Sequence, residues 1–168
     1  RFSIPARGLF GYRSEFLTDT RGEGTMYHSF SHYGPWAGQL AGRRRGVLVA
    51  DRPGKAVGYA LFGLQERATM FLKPQDAVYA GMIVGENSRP DDMDVNVTKE
   101  KKLTNIRAAA SDDKILLEPP RQITLELALE FIQEDELIEV TPDGIRLRKK
   151  EMDANKRRKA AKAAAAAV

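Results

Sequence analysis

The chain has 168 residues, a formal net charge of +4, 42% hydrophobic residues and no cysteine. That length and apolar share suffice for one domain or two small ones with a buried core, while the missing cysteines exclude a disulfide framework and any thiolate metal site. No apolar run approaches the ~18 to 20 residues of a membrane helix, and the N-terminus lacks the order of a signal peptide, so the expectation is a soluble chain in a reducing compartment, the cytoplasm.

The charge is unevenly placed. From Ile145 onward nine basic and two acidic residues give a local balance of +7, which leaves −3 for residues 1–144. A mildly acidic body with discrete basic elements differs from a uniformly basic nucleic-acid binder.

In chain order, residues 7–20 place Leu9, Phe16 and Leu17 on one stripe at helical spacing, with Gly22 and Gly24 as the stop. Residues 25–33 then alternate, Met26, His28, Phe30 and His32 on one side and Tyr27, Ser29, Ser31 and Tyr33 on the other, which predicts a strand. A Gly-rich stretch from Gly34 to Gly46 predicts a boundary. Short β-rich runs follow at 47–50, 56–62, 69–72, 78–84 and 93–97, spaced as in a small barrel or sandwich. Thr124 is placed to cap a helix in which Leu125, Ala128, Leu129 and Ile132 share a face. Residues 137–140, the turn Pro142-Asp143-Gly144 and residues 145–148 predict a hairpin with Arg146 and Arg148 on one face. Residues 151–168 form a basic, Ala-rich tail with almost nothing to bury, expected as a frayed helix or a disordered segment that orders on a polyanion; a solubilising end is the alternative reading.

Several constellations invite chemistry and lose it on inspection. His28 and His32 on a strand stand about 13 Å apart, too far to share an ion. Ser29 and Ser31 have no G-x-S-x-G elbow. Asp91, Asp92 and Asp94 lack the glycine and distal glutamate of a calcium loop and fit turn chemistry after Pro90. No phosphate loop G-x-x-x-x-G-K-[ST] occurs: Gly54-Lys55 is preceded by Val49 where the first glycine belongs and followed by Ala56, which has no hydroxyl for magnesium. No catalytic residue is therefore expected. The basic candidates are Lys99, Lys101, Lys102 and Arg107, grouped with Asn105 in a polar stretch suited to phosphate and base contact. Arg43, Arg44 and Arg45 form a second cluster, either contacting phosphate or keeping a connector soluble. Arg13, with Arg7, flanks the first helix and either faces RNA or pairs with Glu15, Asp19 or an acid of a half domain expected to be missing here.

Four stretches carry a family resemblance: I-P-A-R-G-L-F-G-Y-R-S-E-F-L-T-D-T-R-G-E-G at 4–24, G-E-N-S-R-P-D-D-M-D-V-N-V at 85–97, K-K-L-T-N-I-R at 101–107 and T-L-E-L-A-L-E-F-I at 124–132. From Ile4 to about Arg158 the chain resembles the C-terminal region of the BipA/TypA family, ribosome-associated translational GTPases related to elongation factor G. The resemblance implies an α+β chain: a partial ferredoxin-like (split βαβ) elongation-factor fifth domain at 1–40, then a β-rich, barrel-like ribosome-binding domain with one main helix at 44–150. It implies that GTP and magnesium belong to an N-terminal domain absent here, so that this chain has no cofactor, metal or small-molecule substrate of its own. It further implies that the segment holding Lys101, Lys102, Asn105 and Arg107, matching the family's K-K-L-T-N-[IM]-R motif, touches large-subunit ribosomal RNA and the acceptor end of A-site tRNA on the bacterial ribosome. The intact relatives are expected to serve stress and cold adaptation and large-subunit assembly. A stand-alone RNA-binding module is the rival reading, and a hydrolase the third.

Overall fold

The structure is a computed structural model and describes residues 1–9, 12–38, 43–101 and 116–166. A 3-10 turn at Ala6–Leu9 leads into helix α1, Tyr12–Asp19. Thr20 ends it by donating its hydroxyl to the Phe16 carbonyl at 2.7 Å while accepting the Gly24 amide at 3.1 Å. Residues 25–33, expected as a strand, form none. Alternation describes a strand only when a neighbour completes the hydrogen-bond ladder and a core covers one face, and here Tyr27, Phe30 and Tyr33 all stand in solvent.

The sheet begins at β1, Val47–Ala50, whose four side chains are all buried. Such a strand must be covered on both faces. Val47 and Val49 meet Ile83, Ala128, Phe131 and Leu147 on one face, while Leu48 and Ala50 meet Leu61, Met70, Val84 and Val95 on the other. Strand β2, Gly54–Lys55, pairs with β4, Ala77–Val78, as a separate ribbon. Between them lie helix α2, Gly58–Gln65, and strand β3, Ala68–Met70. The β-run expected at 56–62 is thus mostly helix. A short apolar run cannot be assigned by periodicity alone, and Leu61 and Leu64 pack into the core with Ala60 alongside at helical spacing.

Strand β5, Met82–Asn87, pairs antiparallel with β1 on one side and with β3 and β8 on the other. Strand β6, Met93–Val95, runs parallel to β1 at the edge. Helix α3, Leu125–Phe131, starts where expected: the Thr124 hydroxyl accepts the Leu127 amide at 3.3 Å, and Ala128 and Phe131 are buried. The hairpin of β7, Glu136–Thr141, and β8, Gly144–Lys149, is in register from Thr141↔Gly144 at the turn to Glu136↔Lys149 at the open end. Helix α4, Ala154–Ala166, ends the described chain. The order β6-β1-β5-β8-β7 leaves two free edges. The expected α+β class holds, and the sheet stays open rather than closing into a barrel.

Candidate nucleic-acid interface

Strand β6 sets the stem of the Lys99–Lys101 segment. Val97, 1% exposed, is sunk in the core and its carbonyl accepts the Val57 amide at 2.9 Å. The Asn96 side-chain oxygen accepts the Thr98 amide at 2.9 Å and the Thr98 hydroxyl at 2.8 Å, a turn that throws the chain out of the sheet. Lys99 and Lys101 follow, both exposed. Lys102, Asn105 and Arg107 lie outside the described residues. The returning chain is held by one side chain of α2: Gln65 donates to the Leu116 carbonyl at 3.0 Å and accepts the Glu118 amide at 3.1 Å. Leu117 packs against the core beside them. Residues 102–115 are thus flanked by two stems, each fixed to the rigid body.

The three arginines before β1 divide. Arg43 is a correction to the expected RNA-facing set, because its side chain is only 6% exposed. Its guanidinium donates twice to the Glu136 carboxylate, at 2.8 and 3.0 Å, and once to the Phe131 carbonyl at 2.8 Å, while stacking over the Phe131 ring at 4.2 Å. Gln133 closes the arrangement by donating to the Arg43 carbonyl at 2.8 Å. A fork this fully engaged has no face left for phosphate. Arg44 is exposed, and Arg45 makes only a loose pair with Glu86 at 3.9 Å, so both remain accessible. Arg44 and Arg45 precede β1 whereas Lys99 and Lys101 follow β6, and those strands are parallel. The two basic groups therefore stand at opposite ends of the sheet. Arg13 is exposed on α1. Arg7 stacks over the Trp36 ring at 3.6 Å and donates to the Gly38 carbonyl.

Glu136 also belongs to a network that the residue spacing alone did not reveal. Lys149 donates to Asp92 at 2.6 Å, Asp135 at 2.8 Å and Glu136 at 2.9 Å, with its own side chain 1% exposed. Burial alone would raise the Glu136 pKa, but hydrogen bonds from Arg43 and Lys149 outweigh it and hold the carboxyl below its ordinary value. Burial would likewise lower that of Lys149, and its bonds to Asp135, Asp92 and Glu136 raise it. Asp92 accepts the Val47 amide at 2.9 Å with its other oxygen. The register signals this pairing: counting outward from the Pro142-Asp143-Gly144 turn sets Glu136 opposite Lys149, on the face of Ile138, Ile145 and Leu147. On the outer face Arg148 binds Glu139 at 2.6 Å, which neutralises part of the expected Arg146–Arg148 patch.

The acidic cluster after Pro90 also has a use that turn chemistry did not suggest. Asp92 holds Lys149, and Asp94 holds Arg157 and Arg158 of α4. Among the described residues no group of His, Cys, Asp and Glu is arranged to hold a metal ion, and no helix is long and apolar enough to cross a membrane. A cleft of about 350 Å³ is lined by Phe71, Lys73, Asp76, Ile123, Asp143 and Arg146.

The family described as TypA/BipA C-terminal domain matches residues 45–154, and that described as Elongation factor G C-terminus matches residues 1–44. The large ribosomal subunit assembly factor BipA of Escherichia coli K12 is 50% identical over 163 residues, covering 96% of this chain and 27% of that protein. The factor of the same description from Salmonella typhimurium is 50% identical over 95% of this chain and 26% of its own length, and that from Bacillus subtilis 49% identical over 96% and 26%. The chain thus spans about a quarter of the length of these curated relatives. On the strength of the match across the whole sheet domain, this chain belongs to the TypA/BipA family.

Proposed function

We propose that this chain is the ribosome-binding end of a translational GTPase and engages the large subunit through the segment that leaves β6. Lys99, Lys101, Lys102 and Arg107 neutralise ribosomal RNA phosphates there, and Asn105 reads a base edge or ribose hydroxyl, at the acceptor end of A-site tRNA or in the RNA beside it. Arg13, Arg44 and Arg45 add peripheral phosphate contacts. The carrying observation is the pair of fixed stems: the Asn96–Thr98 turn on one side and the Gln65 bracket on the other root a basic segment on a rigid scaffold. Binding residues on a loop held by rigid elements lose less conformational freedom when they meet a partner. Nucleotide hydrolysis belongs to other parts of the intact protein, since the chain carries no phosphate-loop sequence. In the cell this binding serves assembly of the large subunit and adaptation to stress or cold, in the cytoplasm.

Co-sedimentation of the chain with purified large ribosomal subunits, without nucleotide and at about 50 mM salt, tests this reading. The expected result is comigration with the large subunit and not with the small one. A chain that stays at the top of the gradient contradicts it.

A further inference from the structure

Helix α4 begins at Ala154, the last residue of the TypA/BipA match. A 13-residue Ala-rich helix is marginal in water by itself, yet this one is fastened to the sheet through Asp94. Asp94 of edge strand β6 pairs with both Arg157 and Arg158, and the side chains of Asp94 and Arg157 are each 16% exposed. Arg157 also donates to the carbonyls of Glu151 at 3.0 Å and Met152 at 2.8 Å, locking the preceding turn onto the helix. The Asp153 carboxylate accepts the Asn155 and Lys156 amides, at 2.7 and 3.2 Å, as an N-cap. The turn itself sits so close to Gly81 that a Cβ there would lie 2.9 Å from Met152 Cα.

With Arg157 turned to the body, helical geometry fixes where the other cations go. At 100° per residue Lys159 and Lys162 fall on the opposite side and Lys156 at its flank, successive lysines about 4.5 Å apart along the axis. All three are exposed. Lys156 has only a loose contact with Glu151 at 3.9 Å, and the neighbouring acids Asp153 and Asp94 are occupied by the cap and the clamp.

We infer that α4 is a second RNA-binding element: a helix held in place by the Asp94 clamp, presenting Lys156, Lys159 and Lys162 as a row of cations to the phosphate backbone of ribosomal RNA. This rests on the ribosome-binding reading above and adds a contact surface to it. RNA fits better than a lipid surface because the sequence of α4 carries no large apolar residue to insert. The clamp is what separates this from a floating basic tail. A helix already docked does not have to be ordered on binding, so its lysines act at full strength.

The test titrates the full chain against purified large subunits from about 50 to 200 mM salt. The triple variant Lys156→Ala, Lys159→Ala, Lys162→Ala is expected to reduce the log–log salt slope by about 2, the loss of three phosphate contacts at about 0.7 each. Lys55→Ala, Lys73→Ala, Lys150→Ala, an equal charge change elsewhere on the exposed surface, should leave the slope unaltered. Asp94→Asn gives the sharpest sign. Removing an acid from a polyanion binder ordinarily tightens binding, whereas loss of the clamp is expected to weaken it roughly threefold to tenfold, the scale of immobilising a side chain on binding. Thermal unfolding checks that each variant folds; should Asp94→Asn fail to, the triple variant decides alone.

An unchanged slope in the triple variant, or tighter binding by a folded Asp94→Asn, overturns the inference while the ribosome-binding reading stands. So does equal or tighter binding to phosphatidylserine–phosphatidylcholine vesicles. A wild-type chain that does not bind large subunits overturns both.

Discussion

Glu136 and Lys149 close the open end of the β7–β8 hairpin, and Arg43 joins them from the approach to β1. Every charge there is matched, so the desolvation of three ions is offset by bonds at 2.6 to 3.0 Å. Removing one partner leaves the others uncompensated. Glu136→Gln is expected to destabilise the fold by about 3 kcal/mol, near the lower end for a broken buried pair, and to lower the melting temperature by roughly 10 °C. The pH dependence follows in sign. The Glu136 pKa is depressed in the folded state, so its contribution is present above the unfolded value of about 4.5 and is lost as pH falls through the folded value. Lys149 is raised, so its contribution is present below 10.5 and is lost as pH climbs through its folded value. Wild-type stability should be level in between, and Glu136→Gln should have the shallower acid limb in thermal unfolding from pH 3 to 7. An unchanged acid limb would contradict this assignment. At this scale the sequence was only partly legible. Arg43 reads as one of three equivalent surface arginines until the fold brings Glu136 and Phe131 to it, and Lys149 reads as part of a basic run until hairpin register turns it inward.

Elements whose own residues supply their partners were read correctly, as were the strand runs at 47–50 and 93–97; residues 25–33 and 58–65, whose state depends on what packs against them, were not. The Thr124 cap and Ala128 specify α3 locally, although Leu125 and Leu129 of the expected face stand 45% and 50% exposed and Phe131 is buried instead, and Pro142-Asp143-Gly144 specifies the hairpin. Residues 25–33 alternate as a strand should but have no neighbour to pair with, and residues 58–65 are apolar enough for either element until α2 settles against β3 and β5. Four aromatic side chains of the N-terminal stretch stand outside: Phe2, Tyr27, Tyr33 and Trp36 are between 75% and 95% exposed. Trp36 is the chain's single tryptophan and reports on this stretch alone. Its fluorescence should be solvent-like and readily quenched by iodide, and should change at lower temperature than the far-ultraviolet signal of the sheet. One shared transition with a protected Trp36 would show instead that the N-terminal stretch is part of the core. The segment leaving β6 makes the opposite expectation. Replacing Lys101, Lys102 and Arg107 by alanine should weaken large-subunit binding at least about tenfold, with less than about 2 °C change in melting temperature, because charges beyond the stems contribute little to folding. A drop beyond 5 °C would assign those residues a structural role.

The whole molecule divides its basic residues by task. Arg43 and Lys149 are internal, Arg157 fastens α4, and Lys99, Lys101, Arg44 and Arg45 stay in solvent at two ends of one sheet. Net charge alone does not reveal this division, since a buried cation and an exposed one count equally in a sum. Family membership, by contrast, was legible in the 4–24, 85–97 and 101–107 segments. Without a phosphate loop the chain should give no saturable heat with GTP and no hydrolysis, and a stoichiometric isotherm would reveal a nucleotide site elsewhere. The central claim is that the segment rooted at Lys99 and Lys101 meets large-subunit RNA. A photo-crosslinking side chain placed at Lys101, irradiated with purified large subunits and mapped on the RNA, tests it most directly. Crosslinks confined to one or a few sites of large-subunit ribosomal RNA, diminished by the Lys102→Ala and Arg107→Ala changes, are the predicted result. Crosslinks only to ribosomal proteins, or none while the chain remains bound, would contradict it.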